Sequence, residues 1–295
     1  MWARLGRPVG KPVGKRALSS APVSGIEEPR SLEGQIAWVI GGAGLIGTGI
    51  VRGLLRAGAT VLCNSRHGSR LRALSEELQS PENLVTIQGS MLPEGAEDTV
   101  AAAMELTAGR IDHVVTHSAV RWWARAGECD ETSTIATMNS SSSGVLSLTH
   151  GDFASQAMQL PLMQFAAARL LVPRLQQVPH ASYTFVTGGA GEAARSPIGQ
   201  INAQAVWGLA AALRNETRGS PMRMNEVRLG LRFNRSVDSL PLSHDVGHIC
   251  AGLAAAPHTP NVLHCVNSQE DIAELKRSFP AQDKGYPVYF SPDFL

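Results

Sequence analysis

What most narrows the folds open to this chain is a run of glycines between a short apolar stretch and a helical pattern. Ile36, Ala37, Trp38, Val39 and Ile40 form a five-residue apolar run, which by length and composition is a buried strand. Gly41, Gly44 and Gly47 follow at three-residue spacing. From Leu45, the residues Leu45, Ile46, Ile50, Val51, Leu54 and Leu55 recur at helical intervals up to Gly58. In such a turn the first glycine permits the tight reversal, the second lets backbone approach a pyrophosphate, and the third lets the helix lie close on the strand. The amides at the start of the helix, those of Leu45 and Ile46 among them, would then meet the phosphate charge. A strand before and a helix after is the context that lifts a weak glycine pattern to a candidate dinucleotide site. A purely structural turn is the competing reading.

The alternation continues along the chain. Strand-like runs occupy 60–63, 84–87, 111–116, 183–186, 224–231 and 262–266. Helical patterns occupy 71–78, 100–106, 162–175, 203–215 and 245–256. Strands and helices taking turns imply right-handed crossovers. The expected fold is therefore α/β: a doubly wound parallel sheet, Rossmann-like, in a single domain. The stretch 132–143, rich in Ser and Thr, reads as an exposed loop inside a long connection from Ala119 to Gln159.

The second strand ends Asn64-Ser65-Arg66, about twenty residues beyond the glycines, where cofactor choice is usually set. An acid there would hold the ribose hydroxyls of NAD(H). The chain offers Arg66, whose guanidinium suits a 2′-phosphate, so NADP(H) is favoured over NAD(H). A solvated surface arginine is the bland alternative, and Arg70 and Arg72 stand close by.

The first thirty residues are of another character. Arg4, Arg7, Lys11, Lys15 and Arg16 precede the first acid, Glu27. Such a basic, acid-free start reads as an organellar transit segment, mitochondrial (matrix) with plastid as the alternative. Setting it aside gives 1–30 as leader, 31–270 as the dinucleotide-type domain and 271–295 as a C-terminal extension. Six of the 26 basic and two of the 25 acidic residues fall in 1–30, leaving 20 against 23; this balance advertises no nucleic acid. No apolar run approaches the roughly 20 residues of a membrane span. Cys63, Cys129, Cys250 and Cys265 lie far apart and read as free thiols.

The glycine turn, the Asn64-Ser65-Arg66 strand end, Gly109-Arg110-Ile111-Asp112-His113-Val114-Val115, Leu170-Leu171-Val172-Pro173-Arg174-Leu175 and Ser243-His244-Asp245-Val246 together resemble the short-chain dehydrogenase/reductase family, from about Leu32 to Asn267. The glycine spacing matches the extended branch of that family better than the other. The resemblance implies an NAD(P)(H)-dependent oxidoreductase acting on a carbonyl or alcohol. It implies a cofactor held by Gly41, Gly44, Leu45, Ile46, Gly47, Asn64, Ser65, Arg66 and Ser118, and dimers formed through the helices near 162–175 and 203–216.

The family's reactive residues are Asn, Ser, Tyr and Lys, and none of them maps here. The asparagine falls on Gln159 or Leu160, the serine on Gly188 or Gly189. The Tyr-x-x-x-Lys pair falls on Ile201 and Ala205, or on Gly199 and Ala203 if the gap shifts by two. The only tyrosines are Tyr183, Tyr286 and Tyr289, and no lysine lies between Lys15 and Lys276. A phenol of lowered pKa needs a neighbouring cation. No standard catalytic residue is therefore assigned. His117 is a weak candidate acid at the end of a central strand. Thr187, with Ser118 and Ser182, could orient a carbonyl. The expectation is a divergent, cofactor-responsive or structural family member, a homo-oligomer or a subunit of an organellar assembly. Binding of no cofactor at all is one alternative; the other is an active NADP(H)-dependent oxidoreductase with a rearranged site.

Two further constellations invite a reading. His244 and His248 share a helical face, but Ser243 as N-cap and Asp245 in the first turn account for the pattern without a metal. Arg121-Trp122-Trp123-Ala124-Arg125 follows the fourth strand; local packing competes there with a ligand lid or protein contact.

Overall fold

The computed structural model describes residues 30–117, 145–189, 197–231, 240–257 and 261–284. Seven strands, β1 (Ile36–Ile40), β2 (Thr60–Ser65), β3 (Leu84–Gln88), β4 (His113–Thr116), β5 (Ser182–Gly188), β6 (Arg223–Leu229) and β7 (Leu263–Val266), build one sheet in the order β3-β2-β1-β4-β5-β6-β7. Every pairing is parallel. The helices are α1 (Leu45–Arg56), α2 (Gly68–Glu77), α3 (Pro93–Leu106), α4 (His150–Ala157), α5 (Gln159–Leu175), α6 (Pro197–Glu216), α7 (Leu240–Ala255) and α8 (Gln269–Ser278). This is the expected doubly wound, Rossmann-like arrangement. Its strand order reverses between β1 and β4, which opens a ligand crevice beyond their carboxyl ends.

Strand side chains alternate between two cores. On one face Val61, Cys63 and Val115 pack with Ile50, Val51 and Leu54 of α1 and with Val246 and Ile249 of α7. On the other, Trp38, Val114, Tyr183 and Phe185 pack with Ala167 and Leu171 of α5 and Ala210 of α6. Burial on both faces explains why β1 reads as a continuous apolar run.

Several element bounds differ from the sequence expectation. The connection from Ala119 to Gln159, read as loop, contains α4, whose start is set by Thr149: its Oγ1 accepts the Asp152 N–H at 3.1 Å. Residues 118–144, which hold Ser118, the tryptophan pair and the Ser-rich stretch, lie outside the described residues. α3 begins at Pro93, α6 at Pro197 and α7 at Leu240, all earlier than apolar periodicity suggested. Ser243 therefore lies inside α7 and is not its cap. Its hydroxyl instead donates to the Leu45 carbonyl at 2.5 Å. α8 straddles the expected boundary at 270 between domain and tail, and starts with a full capping box between Ser268 and Asp271.

The opposite edge of the sheet is closed by Arg223, 5% exposed. It donates to the carbonyls of Leu253, Ala254 and His180 at 2.6, 2.9 and 2.7 Å, and also to that of Ala256. These include acceptors that the last turn of α7 leaves without helical partners.

Candidate functional site

The glycine turn joins β1 to α1 as the spacing implied. Gly41 sits at φ +83, a left-handed conformation that any side chain would strain. Among the described residues, a Cβ on Gly44 would meet nothing within 4 Å, so its backbone faces open space there. A Cβ on Gly47 would stand 2.3 Å from the Gly41 carbonyl oxygen, so only glycine lets α1 begin this close to the turn. Gly42, which the spacing argument passed over, is equally confined: its Cβ would meet Cys63 Sγ at 2.5 Å.

Thr48 N–H is the amide that closes onto the Gly44 carbonyl, at 2.7 Å. The amides of Leu45, Ile46 and Gly47 therefore precede the helical ladder. No acidic residue stands in the first turn of α1. Open space over Gly44, three early amides and the positive end of the helix suit a pyrophosphate.

At the end of β2 the side chains divide. Asn64 is buried; its Oδ1 accepts from Trp38 Nε1 at 3.0 Å and its Nδ2 donates to the Gly89 carbonyl at 3.3 Å. Its side chain thus holds the scaffold, and a cofactor contact there would use backbone. Ser65 Oγ accepts the His67 N–H at 3.2 Å. Arg66 is exposed, its carbonyl taken by Gln88 Nε2 at 3.3 Å, and its side chain stands at the same edge as the glycine turn.

The reactive positions of the resemblance fall on three elements. Gln159 and Leu160 open α5, half-buried. Gly188 is exposed, and a Cβ on it would meet nothing within 4 Å among the described residues, whereas Gly189 abuts Gly230. On α6, Gly199 is buried, and Ile201, Ala203 and Ala205 are half-buried. Tyr183 does not move into their place. It is 0% exposed, packs against Phe185 at 4.9 Å between ring centres, and burial pushes its phenol well above the ordinary range. Tyr286 and Tyr289 lie outside the described residues.

His117 and Thr187 reach the same edge. The His117 amide donates to the Ile40 carbonyl at 2.8 Å, which places the residue beside the glycine turn. Burial lowers its imidazole pKa to about 4 against a partial offset from Val186 backbone. At pH 7 only about one ring in a thousand would carry the proton a general acid must give. Thr187 Oγ1 donates at 3.0 Å to Glu226, a carboxylate with 0% exposure that also accepts from Arg214 at 2.6 Å and Arg228 at 2.8 Å. The Arg228 guanidinium lies 3.9 Å from the centre of the Trp207 ring, and Trp207 Nε1 donates to the Gly188 carbonyl at 3.2 Å. This network, which joins β5, β6 and α6 across separate parts of the chain, left no local signal in the sequence.

Ser182 Oγ is paired with His113 Nδ1 at 2.9 Å, near the start of β5, so it lies at the other edge of the sheet and not with Thr187. Among the described residues, no three His, Cys, Asp or Glu side chains gather as a metal ion would need.

An open parallel sheet with its strand reversal beside a glycine turn defines a dinucleotide-type α/β protein. The model of the short chain dehydrogenase family matches residues 35–159. RhlG of Pseudomonas aeruginosa, solved with NADP, superposes with a TM-score of 0.63 at 20% identity, covering 82% of this chain and 98% of that one. A metagenomic short-chain oxidoreductase in complex with NADP gives 0.62 at 20%, covering 80% and 97%. A dehydrogenase/reductase from Sinorhizobium meliloti gives 0.63 at 18%, covering 80% and 94%. These likenesses show that the chain has the fold of short-chain dehydrogenases/reductases, and residues 35–159 carry that family's sequence pattern. No curated protein matches it.

Proposed function

We propose that this chain binds NADP(H) at the glycine turn and does not carry out the family's carbonyl or alcohol chemistry by its usual route. It acts instead as a cofactor-responsive or structural subunit. The observation that carries this reading is on α6. In either register the phenol and ammonium positions hold Gly199 and Ala203 or Ile201 and Ala205, while Tyr183 is sealed in the core. When bound, the nicotinamide would supply or accept a hydride. Among the described residues, the side chains beside it, a neutral His117 and a Thr187 bonded to Glu226, offer no ready proton donor.

Support for the cofactor comes from the open space over Gly44 and from the NADP held by RhlG and the metagenomic oxidoreductase. Exposed Arg66 supports the 2′-phosphate form. Leu162 and Phe165 on α5, 44% and 46% exposed, and Phe153 on α4, 38% exposed, form apolar surface suited to a second copy of the chain. The basic leader supports an organellar, mitochondrial destination; import of the full chain into isolated mitochondria with loss of the leader tests it.

The cofactor reading is tested by titrating NADPH into the full chain and following nucleotide fluorescence. Gly44→Asp is expected to weaken binding at least about tenfold, or about 1.4 kcal/mol, and Arg66→Ala to erase a preference for NADPH over NADH. Absence of wild-type binding at millimolar NADPH refutes the reading. Turnover of a carbonyl panel that disappears in His117→Ala would establish the rearranged enzyme instead.

A further inference from the structure

The rim where β2 passes into α2 carries more positive charge than Arg66 alone supplies. α2 opens Gly68-Ser69-Arg70-Leu71-Arg72 and has no acid in its first turn. Its acids, Glu76 and Glu77, stand at the far end, where Glu77 is tied to Arg52 at 2.8 Å. Leu71 is buried and seats the helix on the sheet, which leaves Arg72 on the exposed side.

Side chains on a helix lean back toward its start, so residue 72 overlies the turn that holds residue 68. A Cβ on Gly68 would stand 3.7 Å from Arg72 Nη1. The guanidinium is thus folded back over the beginning of α2, toward the turn that presents Arg66. Gln88, the last residue of β3, lies against the same glycine: its Oε1 would be 2.8 Å from that Cβ, and its Nε2 donates to the Arg66 carbonyl at 3.3 Å. Ser65 Oγ adds a second tie by accepting the His67 N–H at 3.2 Å. Arg66 therefore leaves a turn fixed from two sides, and Arg72 reaches back to that turn.

Both residues are exposed, and among the described residues neither guanidinium has a carboxylate, carbonyl or ring as partner. Arg70, which lies between them in sequence, already makes an interaction. We propose that Arg72 is a second determinant of nucleotide choice, its guanidinium joining that of Arg66 on the 2′-phosphate, a role that rests on the NADP(H) reading above. Two unpaired cations on one rim repel each other, and a dianion between them reverses that repulsion. The fork of each guanidinium matches phosphate oxygens through charge-assisted bonds. The ribose hydroxyl of NADH offers no such charge, so Arg72 acts on NADPH alone.

Fluorescence titrations of the full chain with NADPH and NADH at fixed ionic strength test this. Arg72→Gln is expected to weaken NADPH about five- to tenfold and to change NADH by less than about twofold. Arg72→Lys keeps the charge without the fork and should fall between. Arg70→Gln should leave both nucleotides as they were. As competitors, adenosine 2′-monophosphate should lose affinity in Arg72→Gln while adenosine 5′-monophosphate does not, and the salt dependence of NADPH binding should flatten. If Arg72→Gln keeps full NADPH affinity while Arg66→Ala loses the NADPH preference, the proposal is overturned and the cofactor reading stands. An equal loss for NADPH and NADH, or an Arg70→Gln effect as large as that of Arg72→Gln, would also overturn it. A wild type that binds no NADPH at millimolar concentration removes both.

Discussion

Gly247 lies so close to Gly49 that a Cβ added to it would stand 1.9 Å from the Gly49 carbonyl oxygen. The contact is reciprocal along the two helices. A Cβ on Gly49 would strike the Ser243 carbonyl at 2.1 Å, and one on Gly53 the Gly247 carbonyl at 2.3 Å. Backbone meets backbone, so no rotamer change can relieve the clash. Gly247→Ala is expected to lower stability by about 1–3 kcal/mol or more, as overpacking does, read as a fall in the urea midpoint. Gly208→Ala on α6 is the matched control. A Cβ there meets nothing and the residue is exposed, so the helix should gain about 0.5–1 kcal/mol. Equal effects at the two sites would show that the α1–α7 contact is looser than described.

Acid should unfold this protein through a buried histidine. His113 is 1% exposed. Its Nε2 faces Gln35 Oε1 at 2.6 Å and its Nδ1 faces Ser182 Oγ at 2.9 Å. A neutral ring satisfies both, donating to the amide oxygen and accepting from the hydroxyl. Burial, with Arg223 and Arg110 adding to it, lowers its pKa from 6.5 to about 3. Above pH 6.5 the folded and unfolded rings are both neutral and stability is complete. Below that the unfolded chain takes a proton the folded one refuses, so stability falls as pH drops from 6.5 toward 3. The slope approaches about 1.4 kcal/mol per pH unit for such a group. Urea midpoints between pH 7.5 and 5 should show this loss, and His113→Gln should flatten it by one proton's worth. An unchanged slope in that variant would place the acid sensitivity elsewhere.

What the sequence disclosed and what it hid divide by range. The turn from Ile40 to Gly47 was legible because each glycine's task is set within eight residues, and the alternation around it was enough to read the sheet. Starts of helices were misjudged where a proline or a polar cap begins them: Pro93 and Pro197 precede the first apolar residue, and Thr149 opens α4 in a stretch poor in apolar periodicity. Gly247 left no local signal of its role, because its reason, Gly49, stands almost two hundred residues earlier. Thr187 looked free to orient a substrate because Glu226, its partner, lies on another strand. That no Tyr or Lys occurs from 184 to 275 was legible outright, since composition alone restricts where those residues can stand.

Glu226 should be among the most costly single positions to change. With 0% exposure it answers Arg214 and Arg228 together, and Thr187 as well. Glu226→Gln keeps the shape but leaves two guanidinium groups, 14% and 19% exposed, without their counter-charge. A loss of about 3–5 kcal/mol is expected, because breaking one partner of a buried ion set strands the others. Arg228→Met should cost less, since Arg214 still pairs the carboxylate and Trp207 keeps an apolar neighbour. Chemical denaturation of the two variants checks the order. A milder effect for Glu226→Gln than for Arg228→Met would mean that the Trp207 stack, and not the carboxylate, organises this corner.

Ser243 ties α7 to the first turn of α1. It is 1% exposed and donates to the Leu45 carbonyl at 2.5 Å, one residue past the open Gly44 backbone. Ser243→Ala removes that bond without adding bulk against Gly49, and its stability cost should be about 1 kcal/mol. The telling measurement is ligand-dependent. If the hydroxyl holds the early amides of α1 where a pyrophosphate needs them, the variant should weaken NADPH several-fold while leaving the binding of adenosine, which has no phosphate, unchanged. A uniform loss for both ligands would reduce Ser243 to a packing residue. Ser243→Thr cannot stand in as a conservative rescue: the serine Oγ would already lie 2.3 Å from a Cβ on Gly49, and an added methyl group has no room beside it.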